Sequence, residues 1–274
     1  ESIINQTYSN WELIFYDNCS SDKSETIVKR YKDSRIKYFK SEKLVNLGTI
    51  RKFAYKKCQG TFICFLDVDD YWSKIKLQKQ IEKFEINKNL DVLYSNYYKV
   101  KNLEIIKTKK TLSSGYCQDE IILSYIKGEP LTAWLTLMVK KKRIDQLEYT
   151  FDEQTHITSD FDLIIRLSNF CNFDFNDEYL GFYRLHEKNE SENKIKEINR
   201  ELFYIINKYK ENKKINLSFK KKNFANKIFI KYFLFQKVSK NPEKIEVFLD
   251  DKILKLIYFI IKLLPRKILN LFIK

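Results

Sequence analysis

Three carboxylates fall within four positions where an apolar run stops, in Phe65-Leu66-Asp67-Val68-Asp69-Asp70. Thr61-Phe62-Ile63-Cys64-Phe65-Leu66 is continuously apolar after its first residue and rich in aromatic and β-branched side chains, which predicts a buried parallel strand. Acids at the C-terminal end of such a strand lie at the mouth of the crevice where open α/β sheets bind ligands. Hard oxygen donors in that place suit Mg²⁺ or Mn²⁺ bridging a diphosphate. The plainer alternative is a solvated acidic turn.

Other candidates stand at similar junctions. Trp11-Glu12-Leu13-Ile14-Phe15-Tyr16 reads as a buried strand ending in Asp17-Asn18. Asp160 opens a segment in which Phe161, Ile164, Ile165 and Leu167 share one helical face, and an acid at a helix N-terminus is held ionised by the dipole. His186, one of two histidines, follows Tyr183-Arg184-Leu185 at the end of a strand-like run from Phe173. Arg51 lies on an amphipathic helix from Thr49 to Gln59, which Gly60 is expected to close.

These residues need a frame, and the chain predicts one. A strand at 11–16, a helix opened by Asp22 with Glu25 three residues on, a short strand at 36–39, the Thr49 helix and the 61–66 strand alternate as βαβ units do. Ser73 is expected to cap a helix through Leu77, Ile81 and Phe84. A strand follows at Val92–Val100, then a helix near Glu120–Ile126 and a strand near Leu135–Val139. Beyond Glu190 the pattern becomes Lys-rich helix, with Ile195, Ile198, Leu202, Ile205 and Tyr209 at three- and four-residue spacing. A boundary is placed near Ser191, which gives units 1–190 and 191–274.

At 274 residues with 44% hydrophobic content, the chain can bury a full core. The net charge of +15 points to an anionic partner or surface. The five cysteines are scattered and form no Cys-x-x-Cys pair, so neither zinc nor a disulfide framework is expected. Neither a Gly-Lys-Ser/Thr phosphate loop nor a Gly-x-Gly-x-x-Gly turn is present, which excludes those ATPase and dinucleotide-binding readings.

Four segments, in order, resemble the large inverting glycosyltransferase family 2. They are Ser2-Ile3-Ile4-Asn5-Gln6-Thr7-Tyr8 with Tyr16-Asp17-Asn18-Cys19-Ser20-Ser21-Asp22; Asn46-Leu47-Gly48 with Arg51; Phe65 to Trp72; and Phe151-Asp152-Glu153 with Ser159 to Leu167 and Tyr183-Arg184-Leu185-His186. The resemblance covers about residues 1–191. It implies an α/β GT-A fold: a mixed or mostly parallel nucleotide-binding sheet flanked by helices, followed here by a basic helical C-terminal region.

The resemblance implies a role for each candidate. Asp17 would hydrogen-bond the base of a nucleotide-sugar donor, with Arg51 and Asp67 also on the nucleotide. Asp67 and Asp69 match the family's Asp-x-Asp; Asp69 would ligate Mn²⁺ or Mg²⁺, with His186 as a second metal ligand or a phosphate contact and Arg184 on the diphosphate. Asp70 would support that site or cap the next helix. Asp160 matches the catalytic base; Asp162 is the other acid in reach, and the Phe-Asp-Leu-x-x-Arg-Leu register favours Asp160.

Two departures accompany the match. Ser159 stands where the family has Glu, and Lys52 where Asn is frequent. The family's first strand also precedes the segment matched from Ser2, so a chain beginning at Glu1 is expected to be poorly soluble or inactive without upstream residues.

From Asn241 onward the chain mixes apolar residues with Lys252, Lys255, Lys262, Arg266, Lys267 and Lys274. The charges interrupt it too often for a spanning helix, and a basic amphipathic helix on an anionic membrane surface is expected, with packing against the catalytic domain as the alternative. The reading is a hexosyl- or N-acetylhexosaminyl-transferase that acts with inversion on a glycan or lipid-linked acceptor in surface-polysaccharide synthesis. It would lie in the cytoplasm at the inner face of the membrane, and nucleic acid is not expected as a partner. The rivals are a nucleotidyltransferase and an inactive membrane- or nucleic-acid-binding relic.

Overall fold

The computed structural model describes residues 1–108 and 133–209. The helix expected near Glu120–Ile126 and the basic tail from Asn241 lie outside the described residues. The chain divides into two compact units, Glu1–Asn189 and Glu190–Lys274.

The first unit opens with β1 (Leu13–Asp17), α1 (Ser24–Arg30) and β2 (Ile36–Lys40), and β1 pairs in parallel with β2. Next come α2 (Leu47–Tyr55), β3 (Phe62–Cys64), β4 (Tyr71–Trp72), α3 (Lys76–Ile86), β5 (Val92–Lys101) and β6 (Glu104–Lys107). After a 3₁₀ turn at Trp134–Thr136 follow β7 (Met138–Lys140), α4 (Lys141–Asp145), α5 (Ser159–Ser168) and β8 (Phe173–Arg184). The larger sheet runs β3-β7-β5-β8-β4, with β6 on β5. It is mixed: β5 and β8 are parallel, whereas β3–β7, β5–β7, β4–β8 and β5–β6 are antiparallel.

Several local expectations change. The 61–66 run is a strand only at Phe62–Cys64, and it pairs antiparallel with β7 rather than in parallel. A continuously apolar strand reads the same in either direction, so composition could not set its polarity. The first helix buries none of its residues, leaving Ile27 and Tyr31 exposed. Asp22 accepts from Ser24 N at 2.9 Å, but Lys23 is the N-cap and contributes no side-chain bond. The second helix stops at Tyr55, before Gly60.

Gln6, not Ser73, serves the start of α3. Its Oε1 accepts from Leu77 N at 3.0 Å while Nε2 donates to Ser2 O and Ser73 O at 2.9 and 2.8 Å. The amide thus supplies an acceptor for an orphan helix N–H, and fixes the N-terminal stretch to the helix that follows the acidic turn.

The core lies on both faces of the central strands. Val92, Leu93 and Tyr94 of β5 are fully enclosed, as are Phe161, Leu163, Ile164, Ile165 and Leu167 of α5. A polar seam crosses it. Lys76, wholly buried, donates to Gln80 Oε1 at 2.6 Å and lies 4.2 Å from the centre of the Trp72 ring. Gln80 Nε2 and Trp72 Nε1 each donate at 2.7 Å, to Thr136 O and Leu135 O. Burial lowers the Lys76 amine below its usual range. The seam ties α3 and β4 to the turn before β7, and so fixes the C-terminal flank of the acidic residues.

In the second unit, α6 (Glu190–Asn193) precedes α7 (Ile195–Tyr209), in which Leu202, Ile205 and Tyr209 are buried. Among the described residues no helix is long and apolar enough to cross a membrane.

Candidate active site

The acidic residues occupy the turn between β3 and β4, closed by Asp70 N donating to Asp67 O at 3.1 Å. Val68 points outward, 81% exposed, and its neighbours face two different ways.

Asp69 faces the end of β8. Its Oδ2 lies 3.0 Å from His186 Nε2. His186 Nδ1 accepts from Lys188 N at 3.2 Å, so in the neutral ring the proton sits on Nε2 and points at Asp69. Asp70 is buried and accepts from Arg184 N at 2.9 Å. Burial pushes its carboxyl up to about 7; the Arg184 N–H opposes the rise, and the charges of Asp69 and Asp67 add to it. Arg184 turns its guanidinium back onto the turn, Nε bonding Asp69 O and Nη2 lying 3.4 Å from Val68 O. Its side chain therefore braces the backbone of the turn.

Asp67 faces α2. Arg51 places Nη2 3.4 Å from Asp67 Oδ1 and Nη1 2.5 Å from Ser159 Oγ, with its guanidinium carbon 4.8 Å from the centre of the Trp134 ring. Trp134 in turn stacks on Phe65 at 3.8 Å and meets Phe151 edge-on. The arginine is thus held between the Trp134 ring and two oxygen acceptors.

Asp160 is the second residue of α5. The N-cap is Thr158, so Asp160 is not a capping residue. Burial raises its carboxyl to about 6, the Arg51 charge and the Phe161 N–H pull it down, and Asp67 pushes it up. Asp162 is fully buried and pairs with Arg166, Oδ2 lying 2.7 Å from Nη2 and 2.9 Å from Nε. Arg166 also donates to the carbonyls of Tyr149 and Thr150. Asp162 therefore anchors the helix to the loop before it, and Asp160 is the acid left beside Arg51.

Asp17 ends β1, nearly enclosed. Its two oxygens accept from Ser20 N at 2.7 Å and Tyr38 Oη at 2.6 Å. Burial raises this carboxyl, but the Tyr38 and Ser20 hydrogen bonds outweigh it and hold the group below the usual range. The Ser20 hydroxyl bonds this carboxylate too, so of its four lone-pair positions one is left for a ligand. Asp17 thus stands apart from the other two groups. Asn18 links it to them by a two-way amide pair with the backbone of Val45 at 2.7 and 3.0 Å.

Sequence reasoning missed the partner of Asn46-Leu47-Gly48. Asn46 caps α2 by accepting from Thr49 N at 2.8 Å, and its Nδ2 donates to Glu153 O. Leu47 N donates to His156 Nδ1 at 3.0 Å, and Gly48 N to Thr155 O at 3.1 Å. A Cβ on Gly48 would lie 2.1 Å from Asp152 O and 2.6 Å from Thr155 O. Glycine is needed here for close backbone approach, and this seam sets Arg51 against α5. Trp134 was missed as well, since a lone tryptophan in an illegible stretch carries no spacing signal.

Among the described residues no three His, Cys, Asp or Glu side chains converge on one point. Mg²⁺ and Mn²⁺ usually take only one or two protein groups and fill the remaining positions with phosphate oxygens and water. Asp69 fits that mode as the carboxylate, and His186 would join it once a cation takes the place of the Nε2 proton that otherwise points at Asp69.

The mixed sheet thus carries an acidic turn that faces two ways, with Asp67 toward Arg51 and Asp69 toward His186. Residues 1–165 match the sequence profile of Glycosyl transferase family 2, and the chain belongs to that family. It is 33% identical over 219 residues to an uncharacterised glycosyltransferase of Methanocaldococcus jannaschii, spanning 78% of this chain and 74% of that protein. It is 29% identical over 204 residues to the Escherichia coli UDP-Glc:alpha-D-GlcNAc-diphosphoundecaprenol beta-1,3-glucosyltransferase WfgD, spanning 73% and 76%. In fold it is similar to Staphylococcus aureus TarS solved with UDP-GlcNAc, with a TM-score of 0.63 at 16% identity, covering 85% of this chain and 75% of that one.

Proposed function

We propose that this glycosyltransferase moves a hexosyl or N-acetylhexosaminyl group from a nucleoside diphosphate sugar to a hydroxyl of a lipid-linked glycan, with inversion. The observation that carries the reading is Asp160: an acid in the first turn of α5 that is not the cap, is raised toward neutrality, and lies in the field of Arg51. A general base works best with a pKa near the operating pH.

In this reading Asp160 takes the proton of the acceptor hydroxyl as its oxygen bonds to the anomeric carbon. The bond from that carbon to the diphosphate oxygen breaks on the opposite face, and the nucleoside diphosphate leaves with the electron pair. Arg51 orients Asp67 toward the nucleotide and keeps Asp160 ionised. Asp17 accepts from the base. Asp69 and His186 would hold a divalent cation, which when bound neutralises charge on the departing diphosphate. Arg184 and Asp70 keep the turn in place.

The donor and acceptor follow the named relatives. One is a glucosyltransferase acting on a diphosphoundecaprenol-linked sugar, and the fold neighbour was solved with UDP-GlcNAc. A lipid-linked acceptor would place the enzyme at the cytoplasmic membrane face, where the basic tail from Asn241, outside the described residues, would add to binding.

The test is UDP release from UDP-glucose and UDP-GlcNAc with Mn²⁺ and a diphosphoprenol-linked GlcNAc acceptor, followed by NMR assignment of the new anomeric centre. Acceptor-dependent UDP release with inverted configuration is expected. A retained configuration, or no transfer with any nucleotide sugar, would overturn the reading.

A further inference from the structure

The β5–β6 hairpin carries apolar side chains that nothing in the catalytic reading uses. Leu103 is 95% exposed, Ile105 59% and Ile106 49%. The ladder pairs Lys99 with Ile106, Val100 with Ile105 and Lys101 with Glu104. Residues directly opposite share a face, so Ile105 lies on one face of the ribbon and Ile106 on the other. A hairpin that packs on a protein surface is apolar on one face. This one carries an exposed isoleucine on each face, Ile106 among charged neighbours, and an exposed leucine at its end.

Its turn is unusual in the same sense. Asn102 and Leu103 have φ of 49° and 70°, the left-handed pair of a two-residue hairpin turn. Asn and Gly suit that conformation; leucine does not, and here it buries nothing within the described chain. Cations surround the base: Lys99, Lys101 and Lys107, the last with Nζ 5.4 Å from the centre of the Tyr179 ring. Glu104, opposite Lys101, offsets one charge and leaves the hairpin net positive.

The hairpin also stands at the active-site end of the sheet. Val100 pairs with Arg184 and accepts from Leu185 N at 2.8 Å, and Arg184 braces the acidic turn. At about 3.3 Å per residue, Leu103 reaches roughly 10 Å beyond Arg184.

We propose that this hairpin docks end-on into an anionic membrane surface, Leu103, Ile105 and Ile106 entering the interface while Lys99 and Lys107 meet the headgroups. An apolar tip with a cationic collar has the chemistry of an interfacial anchor, the lysine stems lying along the apolar side chains. Docking there would bring the mouth of the site to the plane in which a lipid-linked hydroxyl is presented. That purpose rests on the proposed acceptor; the docking does not.

The test uses the whole chain with vesicles of phosphatidylcholine alone and of phosphatidylcholine with an equal part of phosphatidylglycerol. Leu103→Gly and the double change Ile105→Ser/Ile106→Ser should each weaken binding to anionic vesicles about ten-fold. Lys99→Gln/Lys107→Gln should weaken it by roughly ten-fold or more on anionic vesicles only. Leu103→Gly should melt no lower than the parent, because glycine suits the turn, so its loss of binding cannot come from unfolding. All variants should keep the parent rate of transfer to a soluble acceptor. Vesicle binding unchanged in every variant overturns the proposal. So does a parent dimer that Leu103→Gly makes monomeric without loss of vesicle binding, which would make the tip a self-association surface. If the variants lose vesicle binding as expected but no chain transfers sugar, the docking stands and the enzymatic reading falls.

Discussion

Arg51 donates to the Ser159 hydroxyl at 2.5 Å, joining α2 to the first residue of α5 one position before the proposed base. The family's usual residue at that position is an acid. A neutral hydroxyl holds the guanidinium without neutralising it, so the positive charge remains available to Asp67 and Asp160. Arg51→Gln should therefore raise the Asp160 carboxyl further above about 6. A base works ionised, so transfer is lost as pH falls through that value, and in the variant the acid limb of the kcat profile should move to higher pH. An acid limb that stays put while kcat falls would make Arg51 a packing residue.

Ser159→Glu returns the usual acid and pairs the arginine's charge. The same profile should then move upward, as with Arg51→Gln, while the melting temperature falls, because Ser159 is fully buried and a larger side chain must displace packed neighbours. Comparing the two variants separates the charge of Arg51 from its shape.

Asp69 and His186 face each other at 3.0 Å, a carboxylate–imidazole pair at the acidic turn. Asp69→Ala should abolish Mn²⁺-dependent binding of a nucleoside diphosphate, read by calorimetric titration. His186→Ala should weaken it by roughly ten-fold or more, the scale for removing a group that orients a metal-ligating carboxylate. Metal-dependent affinity unchanged in Asp69→Ala would move the cation elsewhere.

Much of this site was legible because its residues sit where elements end. Asp67, Asp69 and Asp70 follow an apolar run, and the α5 face of Phe161, Ile164, Ile165 and Leu167 is buried as its spacing predicts. What sequence could not give were relations between distant segments. The antiparallel β3–β7 pairing has no local signature. The Gln6 cap of α3 spans 71 positions, and the Asn46 contact with Glu153 spans 107. The β5–β6 hairpin was hidden because its turn residues, Asn102 and Leu103, include no glycine.

Gly48 is a packing requirement, since any Cβ there meets two carbonyl oxygens. Gly48→Ala should destabilise the fold by about 1–3 kcal/mol, the range for overpacking against atoms that cannot turn aside. It should also lower transfer, because α2 must shift and carries Arg51 with it. A melting temperature and rate equal to the parent's would mean that the Asp152–Thr155 loop yields freely.

Asp160 and Asp162, two residues apart, should respond in opposite ways. Asp162→Asn leaves the buried Arg166 charge without its partner and should cost about 3–5 kcal/mol of stability. Asp160→Asn should lower turnover on the order of 10²-fold or more with donor affinity retained. Its effect on stability follows from the raised carboxyl. The folded state holds the proton up to about 6 and the unfolded chain only to 3.8. Ionised Asp160 therefore works against folding in full above about 6, progressively less toward 3.8, and not at all below it. Asp160→Asn should raise the melting temperature at pH 7, and the gain should vanish near pH 4. A base that costs the fold stability at neutral pH is the trade expected of a catalytic group. Loss of stability in Asp160→Asn at pH 7, with turnover retained, would make Asp160 an ordinary helix residue and return the search for the base to other acids.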